Sequence, residues 1–108
     1  MSERLLQINF NFSVPAGEYE KVANSLVNQF EKLPGLVWKI WTLNEEKNEA
    51  GGLYLFQSQA YMDEFLAGPL AKTVTTHPAL NNFSVKPFTI MKDLTEATRG
   101  PIRISSNA

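Results

Sequence analysis

The stretch that decides the fold is PGLVWKIWTLNEEKNEAGGLYLF, residues Pro34 to Phe56. Two apolar, aromatic-rich runs, LVWKIWTL and GLYLF, flank the charged loop NEEKN and the pair Gly51-Gly52. Runs of β-formers bounded by turn formers predict a hairpin, with one strand over about Leu36 to Leu43 and the next over about Gly52 to Gln57. Both tryptophans lie in this hairpin, and Lys39 sits between apolar neighbours. So much aromatic surface on one hairpin calls for burial or for something bound against it.

Upstream, Leu6, Ile8, Phe10 and Phe12 alternate with Gln7, Asn9 and Asn11, which predicts a strand with one apolar face. Pro15, Ala16 and Gly17 break it. From about Glu18 to Lys32 the apolar residues Tyr19, Val22, Ala23, Leu26, Val27, Phe30 and Leu33 fall at helical spacing, and Leu33-Pro34-Gly35 stops that helix. Downstream, Ser58 is placed to cap a second helix that turns Met62, Phe65 and Leu66 inward. Gly68-Pro69 ends it and suits the start of a short third helix closing near His77-Pro78. The run NNFSVKPFTI, Asn81 to Ile90, predicts a fourth strand, in which Pro87 implies a bulge or a sheet edge.

The order β-α-β-β-α-β predicts an α+β, ferredoxin-like domain with an antiparallel sheet over residues 1–91. A polar C-terminal arm or flexible tail, residues 92–108, follows. Helices cover one face of such a sheet. Here the hairpin offers Leu36, Trp38 and Ile40 on one side and Val37 and Trp41 on the other, and Tyr54 and Phe56 back to back with Leu53 and Leu55. A sheet apolar on both faces needs a second cover. A second copy of the chain is the economical cover, so a homodimer with facing sheets is expected.

The 108 residues make one domain, large enough to hide roughly two thirds of its unfolded surface. Net charge is −1 with no basic cluster, which argues against nucleic acid as a partner. The absence of cysteine excludes disulfides, thiolate metal sites and thiol catalysis, and fits a cytoplasmic protein. No apolar run approaches the ~20 residues of a membrane span, and the opening MSERLLQINFNF does not read as a signal peptide, so no membrane association is expected.

Taken together, LLQINFNF, PGLVWKIWT, EAGGLYLF and VKPF resemble the YdhR-like mono-oxygenase family, a branch of the dimeric α/β-barrel superfamily that also holds the antibiotic-biosynthesis mono-oxygenases. The resemblance covers nearly the whole domain. It implies a dimeric α/β barrel and cofactor-independent oxygenation of a small aromatic or polyketide-like substrate in a barrel cavity. An electron-rich phenol or hydroquinone loses a proton, and its anion reduces O2 directly. That chemistry needs a dry, aromatic-walled cavity, a proton acceptor, and polar or cationic groups near the developing anions. It calls for no cofactor. A non-catalytic dimer that binds a small apolar or aromatic ligand, or a stress-response dimer, is the alternative; a filled barrel would make the aromatics structural.

The residues expected to face away from the helices are Gln7, Asn9 and Asn11 on the first strand, Val37, Lys39 and Trp41 on the second, and Ser84, Lys86 and Phe88 on the fourth. The second-strand choice rests on a lysine being ill suited to lie beneath a helix. Lys39 and Lys86 are the candidate catalytic cations, either as a base with a lowered pKa or as holders of an anion. Otherwise both reach solvent at the rim or pair with carboxylates. Glu49 is a candidate base at the cavity mouth, or a solvated residue beside glycines that supply turn geometry. Asn9, Trp41, Tyr54 and Phe88 are the candidate substrate contacts. Trp38 is expected under the helices, leaving Trp41 as cavity wall or interface anchor.

One histidine, His77, cannot make a two-histidine, one-carboxylate iron site, and no other metal cluster appears. Haem-degrading mono-oxygenases of the same fold are similar in Asn9 and His77, but they use a tryptophan on the second helix, where this chain has Glu64-Phe65. Gly51-Gly52 falls short of a nucleotide-binding fingerprint, so neither NAD nor ATP is expected.

Overall fold

Alternating polarity makes Arg4–Phe12 a strand, β1, with Leu6, Ile8, Phe10 and Phe12 all buried on one side. A computed structural model describes residues 2–102 of the chain. After β1, the extended backbone at Pro15 leads into helix α1 (Ala16–Glu31), whose first turn carries Glu18 where the helix dipole favours a negative charge. Tyr19 and Phe30, at its two ends, are its buried residues. Strand β2 (Leu36–Asn44) follows. A 3-10 turn over Glu45–Lys47, whose Lys47 N–H donates to the Asn44 side chain, ends at Asn48 in the left-handed region with φ 50 and delivers the chain into β3 (Glu49–Phe56).

The Ser58 hydroxyl accepts from the Tyr61 N–H at the start of helix α2 (Gln59–Ala67), as its sequence position predicts. Pro69 opens helix α3 (Pro69–Thr75), and His77 Nδ1 accepts from the Ala79 N–H just before β4 (Leu80–Thr89). Helix α4 (Lys92–Ala97) comes last.

The sheet order is β2-β3-β1-β4, and every neighbouring pair is antiparallel. This is the ferredoxin-like arrangement that the element order predicts. Pro87 lies on β4, an edge strand, and is paired with Leu6, so its missing N–H costs no ladder bond to a further strand. The core fills the space between the sheet and the helices: the four β1 residues pack with Tyr54 and Phe56 of β3, Tyr19 and Phe30 of α1, and Met62 and Phe65 of α2.

Two local features depart from the sequence reading. Strand β3 begins at Glu49, so Gly51 and Gly52 lie inside it and not in a turn. The reason at Gly51 is close approach: a Cβ there would stand 2.0 Å from the Ile8 carbonyl oxygen of the neighbouring strand. On β2, Leu36 is opposite Phe56 and Trp38 opposite Leu55, so the register shifts by one residue across Val37. This bulge puts Leu36 on the same side as Lys39 and Trp41, toward the helices, and sends Trp38 and Ile40 to the open side. The expected orientation of β2 is therefore inverted: Lys39 and Trp41 lie under helix α1, and Trp38 does not.

The open face is partly covered by its own chain. Residues 92–97 of the expected arm form α4, and the Trp38 indole N–H donates to the Pro101 carbonyl at 2.8 Å. The rest of that arm, residues 103–108, lies outside the described residues. Among the described residues no helix is long and apolar enough to cross a membrane.

Candidate functional site

Lys39 and Tyr54 are cross-strand neighbours on β2 and β3, and both point toward α1. The lysine stem reaches over Gly52: a Cβ at Gly52 would lie 2.8 Å from Lys39 Cε, so any larger residue there would displace the side chain. The amine ends among three aromatic rings. Nζ lies 3.3 Å from the ring centroid of Trp41, 3.7 Å from that of Phe30 and 4.8 Å from that of Tyr54. Phe30 packs edge-on to Trp41 and tilted against Tyr54, so the three rings also hold one another.

No described residue makes a hydrogen bond or an ion pair with the Lys39 amine; the ion pair among the described side chains is Lys21–Glu18, on the surface. Burial without a counter-charge pushes Lys39 down to about 7. The ring faces act the other way by attracting the ammonium, and so keep a charged fraction in the cage near neutrality. Burial, with the neighbouring Tyr19 adding to it, pushes the Tyr54 phenol well up, and burial raises Tyr19 too. Both phenols are therefore hydrogen-bond donors at neutral pH, and neither hydroxyl is engaged by another described residue.

Space adjoins this amine. A cavity of ≈ 230 Å³, lined by Val27, Phe30, Glu31, Leu36, Val37, Trp38, Lys39 and Trp41, opens between α1 and the start of β2. On the other side of Trp41, a cavity of ≈ 340 Å³ runs between α1 and the end of β2, past Tyr19, Asn24 and Thr42. Trp41, 38% exposed, is the wall between the two. A buried amine, two phenols and aromatic walls thus lie on the helix side of the sheet.

The remaining candidates do not join them. Asn9 and Glu49 lie on the open face, where the Asn9 amide donates to Glu49 Oε2 at 2.5 Å. Lys86, paired with Gln7, is exposed on that face. Lys39 and Lys86 therefore sit on opposite sides of the sheet, where the expected pair had them on one face. Phe88 is also on the open face, where it lines a cavity of ≈ 590 Å³ with Leu5, Trp38, Leu55, Met91 and Leu94. Among the described residues that line it, none is titratable, whereas the Lys39 site holds a buried amine.

Phe30 and Gly52 complete the Lys39 site but were missed. Phe30 reads as one more member of the α1 apolar stripe, and Gly52 as a turn former. The signal available was the GG pair opposite a lysine in a hairpin, which marks a place where one side chain crosses a neighbouring strand.

No group of three histidine, aspartate or glutamate side chains is arranged to hold a metal among the described residues. Asn9 is on the open face with Glu49, and His77 follows α3, where its Nδ1 accepts from the Ala79 N–H.

Among curated proteins, none matches the chain by sequence. Solved structures match it in fold. SnoaB, a cofactor-independent oxygenase from Streptomyces nogalater, superposes with a TM-score of 0.70 at 19% identity, over 85% of this chain and 96% of its own. NE2512, a protein of unknown function from Nitrosomonas europaea, gives 0.72 at 13% identity, over 84% and 91%. A variant of MhuD with two manganese protoporphyrin IX molecules bound per active site gives 0.62 at 18% identity, over 81% and 94%. The family model described as "Putative mono-oxygenase ydhR" matches residues 5–101, nearly the whole of the domain built above, and the chain belongs to that family.

Proposed function

We propose that the protein is a cofactor-independent mono-oxygenase of a small aromatic or polyketide-like phenol, working as a cytoplasmic homodimer. The observation that carries this reading is the Lys39 amine, desolvated among Phe30, Trp41 and Tyr54 beside an open cavity. The site differs from a cavity between two sheets, for it lies within one subunit, between the sheet and α1.

Lys39 as free amine takes the phenolic proton, and the resulting ammonium stays beside the phenolate, where burial strengthens their attraction. The electron-rich ring carbon then passes electrons to O2 and couples to it, giving a peroxide anion. The ammonium returns its proton to form the hydroperoxide, and loss of water leaves a quinone. The balance is phenol plus O2 to quinone plus water: one oxygen atom enters the ring, the other leaves as water, and all four electrons come from the substrate. Tyr19, which lines the ≈ 340 Å³ cavity beyond Trp41, supplies a phenol donor for a substrate oxygen there, and Tyr54 walls the amine with its ring. The rings exclude water from the anion.

The test is oxygen uptake with a panel of naphthols and hydroquinones, with chelator present and no flavin added. One quinone formed per O2 consumed is expected. Lys39→Met is expected to lower the rate at least ~100-fold, the usual scale for loss of a general base. Equal rates in the two proteins would end this reading.

The ≈ 590 Å³ apolar cavity on the open face favours a second reading, carriage of an apolar ligand without turnover. Trp41 separates the readings, because it lines the cavities beside Lys39 and not the open-face cavity, whereas Trp38 borders both. A ligand that quenches fluorescence in a Trp41→Phe protein, and not in a Trp38→Phe protein, has entered the open face.

A further inference from the structure

We infer that Lys39 is also a covalent capture site for aromatic aldehydes, forming an imine with them inside the α1–β2 cavity. The geometry has the three parts such a site needs. The nucleophilic nitrogen is held by packing against rings, with no carboxylate or hydrogen-bond acceptor bound to it among the described residues. An electrophile has a place to sit, because the ≈ 230 Å³ cavity opens directly beside the lysine and its other walls include Val27, Leu36 and Trp41, suited to an aromatic ring. Solvent has access to the same space, at whose rim the exposed Glu31 lies.

The step balances simply. The neutral amine adds to the carbonyl carbon to give a carbinolamine. Solvent reaching the open cavity gives a proton to the departing hydroxyl, water leaves, and the nitrogen's remaining proton returns to solvent. An amine plus an aldehyde gives an imine plus water, with no change of oxidation state. Neutral amine is abundant here because burial lowers the Lys39 pKa to about 7, so near neutrality about half is unprotonated. An ordinary exposed lysine, at 10.5, offers only about one part in a thousand or less at the same pH.

This inference goes beyond the oxygenase reading and does not need it, since adduct formation is read by mass and oxygen transfer by O2 uptake. Either can fail alone.

The experiment incubates the full chain with 4-hydroxybenzaldehyde and cyanoborohydride at pH 7, where hydride from the borohydride fixes any imine as a stable secondary amine. Intact mass and peptide mapping then follow. The expected result is one dominant adduct, on Lys39, formed at least about tenfold faster than on Lys21, Lys32, Lys47, Lys72, Lys86 or Lys92. Mapping the unaltered protein makes the result independent of whether a variant folds. Gly52→Ala, which pushes on the Lys39 stem, is expected to slow the adduct or redirect it. Labelling of Lys39 no faster than of exposed Lys86 would overturn the proposal, as would no adduct on Lys39 at all.

Discussion

Lys39 is costly where it stands, and that cost is measurable. Its folded pKa, about 7, lies below the ordinary 10.5, so the unfolded chain binds this proton more tightly. Between these values the unfolded state carries more protons than the folded one, and stability rises with pH. Below pH 7 the full penalty is present, with an upper bound of roughly 5 kcal/mol set by the span from 10.5 to about 7 and reduced by the ring faces. Lys39→Met removes the buried charge and keeps the bulk. Urea unfolding is expected to show Lys39→Met more stable than the parent at pH 6, with the gap shrinking steadily toward pH 10. A gap that does not change with pH would mean that the amine is solvated and the cage is open. A destabilising residue kept at the centre of a packed site is what an acid–base role requires.

At the scale of elements, periodicity made β1, α1 and the caps legible. Four alternating apolar residues, a seven-member helical stripe and Ser58 each had one physical reading. The orientation of β2 was not legible, because LVWKIW is apolar on both sides and alternation cannot choose between them. Lys39 alone broke the tie, and in the wrong direction, since the bulge at Val37 and the space above Gly52 give a lysine room beneath a helix. The roles of Lys86, Glu49 and Asn9 depended on that orientation, and they separate from Lys39 with it. Helix α4 was hidden for another reason: KDLTEA is polar, and only Met91 and Leu94 mark an apolar side. What fastens it includes the Trp38 indole, which donates to Pro101. Trp38→Phe removes that bond while keeping an aromatic ring. It is expected to cost about 1 kcal/mol of local stability and to speed amide exchange in residues 92–102 several-fold, with exchange in β1 unchanged. Unchanged exchange in that arm would show that apolar packing alone holds it.

At the scale of the whole molecule, the two faces of the sheet differ in character. The helix side holds the titratable site. The open side remains apolar even beneath α4: Met91 is 70% exposed, Leu94 60%, Ile40 48% and Phe88 45%. Exposed apolar surface of this extent marks a contact surface, and the homodimer proposed above has its second copy here. A stable dimer needs about 800 Å² per partner, close to an eighth of the 6790 Å² exposed by this subunit, which one sheet face can supply. Sedimentation at micromolar concentration is expected to give a dimer. Ile40→Glu sets a charge on the open face away from both the Lys39 site and the large open-face cavity, and is expected to give a monomer by leaving that charge unpaired in the interface. The site then follows a clear rule. Phe30, Trp41 and Tyr54 belong to the same subunit as Lys39, so the monomeric Ile40→Glu protein is expected to keep its selective aldehyde adduct at Lys39. If the adduct vanishes as the dimer dissociates, a residue from across the interface completes the site, and chemistry and assembly are coupled. If Ile40→Glu remains a dimer, the open face is not where the copies meet, and its apolar cavity is left to a ligand.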